Sequence, residues 1–461
     1  MPGRHRTAIG HHIGRHRQKV RHFTVLRRVG VVVVALVMAA SSTAVAGLAN
    51  LNSSLKSEDV TKLLGTDRPT DEAPTVKSND PTDPFGGRAL NILVLGSDSR
   101  QGDNSDYVHD QNPGLRSDVA MIFHISADRS RVNVVSIPRD TTVTIPPCTL
   151  SNGKTTGLNW TTKFNAAFSR GGVNNDIGDA AACTIHTIET NWKLRIDEYI
   201  VVDFAGFANM VNALGYVEMC IPNDMTSQKA HLNIKAGWHK IKGTQALALA
   251  RARTGTGLGD GSDIDRLDRQ HQMLYAIVQR VLGLNMFTNL PALYQFLGAT
   301  LKTMTVSPDL GSVQKMAGLA LSLRNVNSEN IHAITMPWVS DPNITANVEL
   351  APQAAKVWKA LKRDTPLPNS VLPADQRTAS PTPAVPAPGD ASASDMVASA
   401  DAAATAAESG TASTAPATTV GGGTSDVASP SASATGMPST GITSEKACKA
   451  YIRTHNQTED S

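Results

Sequence analysis

Residues 90–95 read Leu-Asn-Ile-Leu-Val-Leu, and residues 96–100 continue Gly-Ser-Asp-Ser-Arg. The first six are almost all aliphatic, which is typical of a short strand buried on both faces of a sheet. The polar residues that follow end this strand. Because ligand chemistry in α/β proteins usually lies where central strands end, Asp98 and Arg100 are candidate site residues.

A β-hairpin follows in the sequence. Residues 119–125 and 132–137 are apolar runs separated by the turn residues Ala-Asp-Arg-Ser, so they are predicted to pair antiparallel. Asp118 begins the first run and Arg139 follows the second. The pairing therefore places these two side chains near each other, and Asp98 joins them if the first strand lies alongside.

The rest of the central region alternates between helical and strand patterns. Periodicity predicts helices over 163–170, 175–192, 205–214, 293–301, 313–323 and 352–361, with strands over 199–202, 217–221 and 331–336. This alternation predicts the α/β class, with a mixed central β-sheet flanked by helices on both faces.

Four arginines lie at the edges of two further helices. The first, capped by Thr244, is predicted to end near Thr254, where a glycine-rich loop begins, and the second runs from about residue 263 to 282. The last turn of the first helix and one flank of the second then carry Arg251, Arg253, Arg266, Arg269 and Gln270.

Guanidinium groups are planar, bidentate donors that match phosphate oxygens. Taken alone, these arginines favour a solvated face of ion pairs, since Asp263, Asp265 and Asp268 are interleaved with them. The rest of the chain favours a diphosphate clamp instead.

Asp98 and Asp118 are each explained, if taken singly, as turn or cap residues. Two carboxylates that converge with arginines on one sheet edge also suit a divalent cation. Mg²⁺ commonly takes one or two carboxylates and leaves its other positions to substrate phosphates.

Composition excludes some classes of function. The 461 residues hold 43 Lys and Arg against 40 Asp and Glu, a net charge of +3, so no nucleic-acid partner is predicted. Residues 1–28 are basic without any acid and form a cytoplasmic leader. Residues 29–49 are uncharged and long enough to cross a hydrocarbon core of ~30 Å, which places the rest of the chain outside the cell membrane.

A cleaved signal peptide is the alternative, because Ala44-Val45-Ala46 fits a cleavage site, but the long basic leader favours an uncleaved single-pass anchor. Residues 50–88 are polar and are predicted to form an extracytoplasmic linker, followed by a catalytic domain over 89–363. Residues 364–461 are rich in Ala, Ser, Thr and Pro and are predicted to form a disordered tail.

Four cysteines are too few for a disulfide scaffold. An exported location permits a disulfide, and Cys148 with Cys183 is the first candidate because both flank one irregular loop. Cys220 equally fits a buried thiol.

Several motifs occur together in one order, and over residues 89–363 the chain resembles the LytR-CpsA-Psr family. The motifs are Asn91-Ile-Leu-Val-Leu-Gly-Ser-Asp98-Ser-Arg100, Arg116-Ser-Asp118, Ser136-Ile-Pro-Arg139-Asp140, Lys163-Phe-Asn-Ala-Ala, Val202-Asp203-Phe-Ala-Gly-Phe, Arg251-Ala-Arg253 and Asp263-Ile-Asp-Arg266-Leu-Asp-Arg269-Gln270. Two departures are a long segment between Asp98 and Asp118 and a Gly215-Tyr216 pair where Gly-Gly is frequent.

The resemblance implies a membrane-anchored, extracytoplasmic phosphotransferase. Such enzymes transfer a glycopolymer, of the teichoic acid, capsular polysaccharide or arabinogalactan class, from a polyprenyl diphosphate to peptidoglycan N-acetylmuramic acid and release polyprenyl phosphate. It further implies Mg²⁺ (or Mn²⁺) at Asp98 and Asp118, and catalysis by these aspartates with Arg139. The diphosphate contacts that it implies are Arg100, Arg116, Arg139, Arg251, Arg253, Arg266, Arg269 and Gln270.

Two other functions remain open at this stage. Water in place of a sugar hydroxyl would make the chain a pyrophosphatase. A non-enzymatic envelope protein would use the arginines only to bind a lipid-linked anion. The general base also stays open among Asp98, Asp118 and Asp140.

Overall fold

The computed structural model describes residues 56–77, 80–98, 115–258, 263–286, 289–301, 303–373, 376–377 and 441–455. The predicted leader and membrane anchor, at 1–28 and 29–49, lie outside these ranges, as does Arg100. Within the described ranges, none of the helices combines the length and the apolar character that crossing a bilayer requires.

Short and long strands alternate with helices along the chain. The strands are Lys56–Ser57 (β1), Leu90–Ser97 (β2), Ser117–Ile125 (β3), Val132–Ser136 (β4), Thr142–Ile145 (β5), Trp160–Lys163 (β6), Glu198–Asp203 (β7), Val217–Ile221 (β8), Met225–Ser227 (β9), Leu232–Ile234 (β10), Gly237–Ile241 (β11), Met304–Val306 (β12), Ile331–Thr335 (β13), Trp338–Ser340 (β14) and Val348–Leu350 (β15).

The α-helices are Thr61–Leu64 (α1), Ala166–Gly171 (α2), Ile177–Trp192 (α3), Phe204–Ala213 (α4), Gly243–Arg251 (α5), Asp263–Gly283 (α6), Leu290–Leu301 (α7), Val313–Ser322 (α8), Ala354–Lys362 (α9) and Glu445–His455 (α10). Short 3₁₀ turns cover Gly172–Asn174, Pro308–Leu310 and Ser328–Asn330.

A mixed sheet forms the centre of the molecule. Among the described residues it has seven strands in the order β1-β12-β7-β2-β3-β4-β13. Strand β2 runs antiparallel to β3 and parallel to β7, and β3 pairs antiparallel with β4. This arrangement confirms the predicted fold class and the predicted hairpin.

Helices cover both faces of this sheet. Side chains alternate between the faces along a strand: on β2, Leu93 and Leu95 pack with α3 and α9, whereas Ile92 packs with α6, α7 and α8. Two separate cores result, one on each face. Burial on both sides is why residues 90–95 are almost uniformly aliphatic rather than alternating.

A third core joins helices α4, α5 and α6 to the antiparallel pair of strands β8 and β11. Helix α5 begins beside α4, so closely that a Cβ on Gly243 would lie 2.1 Å from the Ala208 main-chain oxygen. Its N-cap is Lys242, without a side-chain bond, and Ala252 is extended. The predicted Thr244 cap and the placement of Arg253 in the last turn are therefore wrong, because close packing on α4 and the extended Ala252 set the ends of this helix.

The folded domain is larger than predicted at its N-terminal side. Strand β1 pairs parallel with β12, and Val60 and Leu64 are buried in the core on the α3 face. Residues 56–64 therefore belong to the domain rather than to a linker over 50–88, because their apolar side chains pack against its core.

The domain also extends past its predicted C-terminal boundary. Leu367, Val371 and Leu372 are buried in the same core. Helix α10 contacts β8 and β11. The predicted tail over 364–461 therefore contains two ordered parts within the described residues, at 364–373 and 441–455.

Two disulfides lie in the described chain. Cys148 and Cys183 are bonded with Cα atoms 5.3 Å apart, which confirms the first candidate pair. Cys220 and Cys448 form the second bond, with Cα atoms 5.5 Å apart. Cys220 is therefore not a buried thiol, since helix α10 brings the last cysteine of the chain to it.

Candidate functional site

The sheet topology brings four segments to one edge. Asp98 follows β2, Asp118 is the second residue of β3, and Arg139 follows β4. Strand β7 runs parallel to β2 and pairs Asp203 with Ser97, so the start of helix α4 lies at the same edge. The order and direction of the strands are therefore enough to place these residues at one edge of the sheet.

Asp118 is the centre of a cluster of guanidinium groups. Arg139 donates from Nη1 to Asp118 Oδ1 at 2.9 Å, and Arg253 Nη2 lies 2.6 Å from Asp118 Oδ2. Both arginines are about a quarter exposed, at 23% and 28% of their side-chain surface. Each is therefore accessible to an anion that approaches the carboxylate.

Arg266 approaches the same aspartate from inside the protein. It donates from Nη2 to the main-chain oxygen of Asp118 at 2.8 Å, and its Nη1 lies 4.0 Å from Oδ2. Only 2% of its side chain is exposed. A guanidinium keeps its charge under such burial, so Arg266 supplies a fixed positive charge.

The two aspartates differ in their electrostatic surroundings. Burial opposes ionisation of Asp118, but Arg253, Arg266 and Arg139 outweigh it and hold the pKa of this carboxyl below its usual value. Burial raises the pKa of Asp98, and the neighbouring Asp118 carboxylate adds to the increase. Asp98 Oδ1 accepts the Arg116 N–H at 2.9 Å, which lowers that pKa only in part.

Arg251 lies beside this cluster on an aromatic support. Its guanidinium carbon is 4.2 Å from the ring centroid of Phe204, the first residue of helix α4. Burial lowers the pKa of Arg251, while Asp98 and Asp118 raise it. The Arg116 side chain is exposed next to Asp98. Arg251 and Arg116 therefore both lie near Asp98 and Asp118.

Arg269 and Gln270 have a different environment. Arg269 donates to the main-chain oxygens of Leu258 at 3.1 Å and Ala252 at 2.6 Å. Gln270 donates to the oxygen of Ala250 at 3.2 Å. In the described residues, these contacts fasten α6 to the end of α5 and to the loop that follows Arg253, so they position Arg253.

Some residues at this edge were not assigned from the sequence. Lys163 Nζ lies 2.8 Å from Asp140 Oδ1, and Arg139 Nε donates to Asp140 Oδ2 at 3.3 Å. Lys163 stands in a motif that carried the resemblance, which was its available signal. Phe204 also stands in one of these motifs, Val202-Asp203-Phe-Ala-Gly-Phe, but a single aromatic residue in an amphipathic helix is ordinarily a core residue, so no role at the site was assigned to it.

The donor set at Asp98 and Asp118 fits a hard divalent cation. Two neighbouring carboxylates supply oxygen ligands. Burial and, to a smaller extent, the Asp118 charge raise the pKa of Asp98, and a bound cation would offset both effects. Within the described ranges, no group of three or more His, Cys, Asp or Glu side chains is arranged to hold a metal. A cation held by these two carboxylates would take its other ligands from water or substrate phosphate oxygens.

Comparisons with known proteins bear on this site. Residues 48–363 match the model of the LytR_cpsA_psr family. The chain is 33% identical over 243 residues to LcpB of Corynebacterium glutamicum, named a probable cell wall biosynthesis protein, covering 51% of this chain and 52% of the relative. It is 29% identical over 199 residues to TagV of Bacillus subtilis, a polyisoprenyl-teichoic acid–peptidoglycan teichoic acid transferase, covering 42% and 44%.

These matches span about half the length of the two relatives. The crystal structure of B. subtilis TagV is 25% identical, with a TM-score of 0.45, and the match covers 61% of this chain and 99% of that one. The family match covers more than half of the chain and includes every described site residue. The chain therefore belongs to the LytR-CpsA-Psr family.

Proposed function

We propose that this chain is an extracytoplasmic phosphotransferase that attaches a glycopolymer from a polyprenyl-diphosphate carrier to peptidoglycan. The observation that carries the proposal is the convergence of Arg139, Arg253 and Arg266 on Asp118, with Asp98 beside it. More positive charge gathers there than one carboxylate neutralises. A diphosphate supplies the missing negative charge, and pairs of its oxygens match the planar guanidinium donors.

In the proposed reaction, the oxygen of a peptidoglycan hydroxyl attacks the phosphorus that carries the glycan. The bond between that phosphorus and the bridging oxygen breaks, and polyprenyl phosphate leaves with the electron pair. The products are a glycan–peptidoglycan phosphodiester and a proton from the hydroxyl. The buried Arg266 and the more exposed Arg139 and Arg253 stabilise the charge that develops on the phosphate oxygens.

Asp98 and Asp118 would hold Mg²⁺ (or Mn²⁺), which when bound neutralises charge on the diphosphate oxygens. Asp140 is held by Arg139 and Lys163 close to the site and is the proposed acceptor of the hydroxyl proton, since it is not among the proposed metal ligands. The hydroxyl would have to lie within hydrogen-bond reach of Asp140.

The sheet face beside the site supports a lipid carrier. Val94, Val119, Phe123, Ile200 and Val202 lie on three neighbouring strands that α-helices cover, yet each is only partly buried. Their partial exposure leaves apolar surface on the strands around β3, the strand that carries Asp118. A polyprenyl chain would have favourable apolar contacts with that surface.

The two disulfides support an exported domain, because such bonds persist in oxidising compartments. The proposal places the N-terminus in the cytoplasm, residues 29–49 in the cell membrane and the domain outside. The names of the relatives support transfer to peptidoglycan. The class of glycopolymer stays a proposal among teichoic acid, capsular polysaccharide and arabinogalactan.

A time course of polyprenyl phosphate release, with and without peptidoglycan acceptor, tests the proposal. A transferase needs the acceptor, so release should rise strongly when it is present and Arg139→Ala should abolish the rise. An equal rate of polyprenyl phosphate release with and without the acceptor would indicate a pyrophosphatase. Binding of the lipid-linked donor with no release in either condition would indicate a non-enzymatic lipid-binding protein.

A further inference from the structure

A cavity of about 250 Å³ lies away from the arginine cluster, between helix α6, the paired strands β8 and β11, and residues 441–443. Its outer wall comes from the C-terminal segment that the Cys220–Cys448 disulfide holds in place. This segment lies outside residues 48–363, the part of the chain that matches the family. The cavity is therefore built partly from a feature that the family match does not include.

One side chain in this cavity is polar, buried and without a partner. Gln272 is 7% exposed and lines the cavity. Among the described residues, its amide group has no hydrogen-bond partner. This amide is not one of the fully buried polar groups of the described chain that lack a partner, so it reaches the cavity. A ligand there can accept hydrogen bonds from it and donate to it.

The C-terminal segment packs against the aliphatic part of the Gln272 side chain. Gly441 has φ +73°, and a Cβ built on it would contact the Gln272 side chain at 3.6 Å. A glycine adopts this backbone conformation without strain. Gly441 therefore forms part of the cavity wall beside Gln272.

The remaining lining favours a neutral ligand. Glu218 pairs with Lys240 at 3.6 Å, and Arg280 donates to the Leu214 main-chain oxygen and stacks on Tyr216 at 4.0 Å. The two charged side chains of the lining thus already have partners. Trp238 adds a half-buried indole to the wall. An aromatic surface with an unpaired amide suits the apolar face and the hydroxyl groups of a sugar ring.

We propose that this cavity is a binding site for one neutral sugar residue of a glycan. The inference rests on the proposed function for its source, since either the donor glycopolymer or the peptidoglycan acceptor supplies such a residue. Helix α6 carries Arg266 near its N-terminus and Gln272 further along. A glycan held at Gln272 is thus tethered to the helix that contributes to the diphosphate site.

Calorimetric titration of the full-length chain in detergent tests this site with two phosphate-free probes. One probe is a soluble peptidoglycan disaccharide fragment, and the other is an arabinogalactan oligosaccharide. One probe should bind saturably, and which one identifies the source. Gln272→Leu should weaken that binding about threefold to tenfold, since it removes a net hydrogen bond. The exposed Gln228 provides the matched control, and Gln228→Leu should bind as the unaltered chain does.

Trp238→Ala is the second variant and should also weaken binding, with thermal melting used to show that each variant is folded. Absence of binding for both probes, or an unchanged affinity in Gln272→Leu, would overturn the site. Arg139→Ala separates the two proposals, because it should abolish polyprenyl phosphate release without changing glycan affinity. Glycan binding by a chain that never releases polyprenyl phosphate would refute the proposed function and leave the sugar site standing.

Discussion

Arg266 contacts Asp118 twice, through its main-chain oxygen at 2.8 Å and towards its carboxylate at 4.0 Å, although 148 positions separate them. The buried guanidinium therefore fixes the position of the aspartate backbone and also provides charge. A lysine in its place keeps the charge, but it loses the planar pair of donors.

Arg266→Lys is expected to lower kcat/KM for glycan transfer roughly 10²-fold, because one preorganised donor at the phosphate site is lost. Steady-state kinetics with the lipid-linked donor measure this effect. Arg324→Lys is the control, since that exposed arginine lies at the surface, where it pairs with Asp80 and donates to the Leu321 main-chain oxygen. Equal activity of the two variants would show that the planar pair of donors of Arg266 has no role in glycan transfer.

Phe204→Leu should raise KM for the donor with a smaller change in kcat. The ring lies 4.2 Å from the Arg251 guanidinium carbon, and its loss removes about 0.5–2 kcal/mol of cation–π attraction, a roughly twofold to thirtyfold effect on affinity. Phe207→Leu, on the same helix, is the comparison. A matching rise in KM in both variants would point to a general disturbance of α4.

Val94→Phe should discriminate between donors by the length of their lipid. Val94 is partly buried on the sheet face where the polyprenyl chain is proposed to lie, so a larger side chain there competes with the lipid. KM for a long-chain donor should rise, whereas KM for a short-chain analogue should change little. The same change for both donors would argue against lipid on this face.

His271 makes stability depend on pH. Its Nε2 lies 2.8 Å from Ser136 Oγ, and burial lowers its pKa to about 4. The unfolded chain binds this proton from about pH 6.5 downwards, whereas the folded chain does so only near pH 4. The contribution of His271 to the free energy of unfolding should therefore fall by up to about 3 kcal/mol as pH drops from about 6.5 to 4, and this contribution should fall no further below that.

His271→Gln should remove this part of the pH dependence, as denaturant titrations at pH 7, 5.5 and 4 would measure. Burial raises the pKa of Glu198 to about 7, which acts in the opposite direction. Because Glu198 is present in both proteins, the difference between their pH profiles isolates His271. Parallel profiles would contradict the assignment.

The two disulfides should have separate effects. Cys148 and Cys183 join segments inside the main core, so replacing both by Ser should lower the free energy of unfolding by about 3 kcal/mol. Replacing Cys220 and Cys448 by Ser should instead release helix α10 and leave the melting of the sheet domain little changed. Hydrogen exchange of 445–455 against the sheet strands distinguishes these outcomes.

Local sequence signals were sufficient for the centre of the site. The two apolar runs and their turn predicted that Asp118 and Arg139 meet, because antiparallel pairing fixes which ends are adjacent. The approach of Arg253 and Arg266 to Asp118 was predicted only from their residue type and their clustering in the sequence. Their actual positions depend on how α5 and α6 pack on the sheet. Arg100 and the membrane segment lie outside the described residues and stay predictions.

The peripheral elements had weaker signals. Strand β1 has two residues and no alternation that a periodicity argument detects, and its partner β12 lies far along the chain. Disulfide connectivity is not deducible from sequence, so Cys448 in a short charged segment gave no indication of Cys220. The low apolar content that predicted disorder after residue 363 is an average, and it conceals the few side chains, such as Val371 and Leu372, that do pack.

The Cys220–Cys448 bond makes the C-terminal part of the chain a closed covalent ring. A protease that cut once between Arg377 and Gly441 would yield two polypeptides that remain a single molecule until a reductant acts. On a gel, such nicked protein would migrate as one band without thiol and as two with it. Such a cut would thus leave the outer wall of the sugar site attached to the domain, whereas the same cut would detach a tail that has no disulfide.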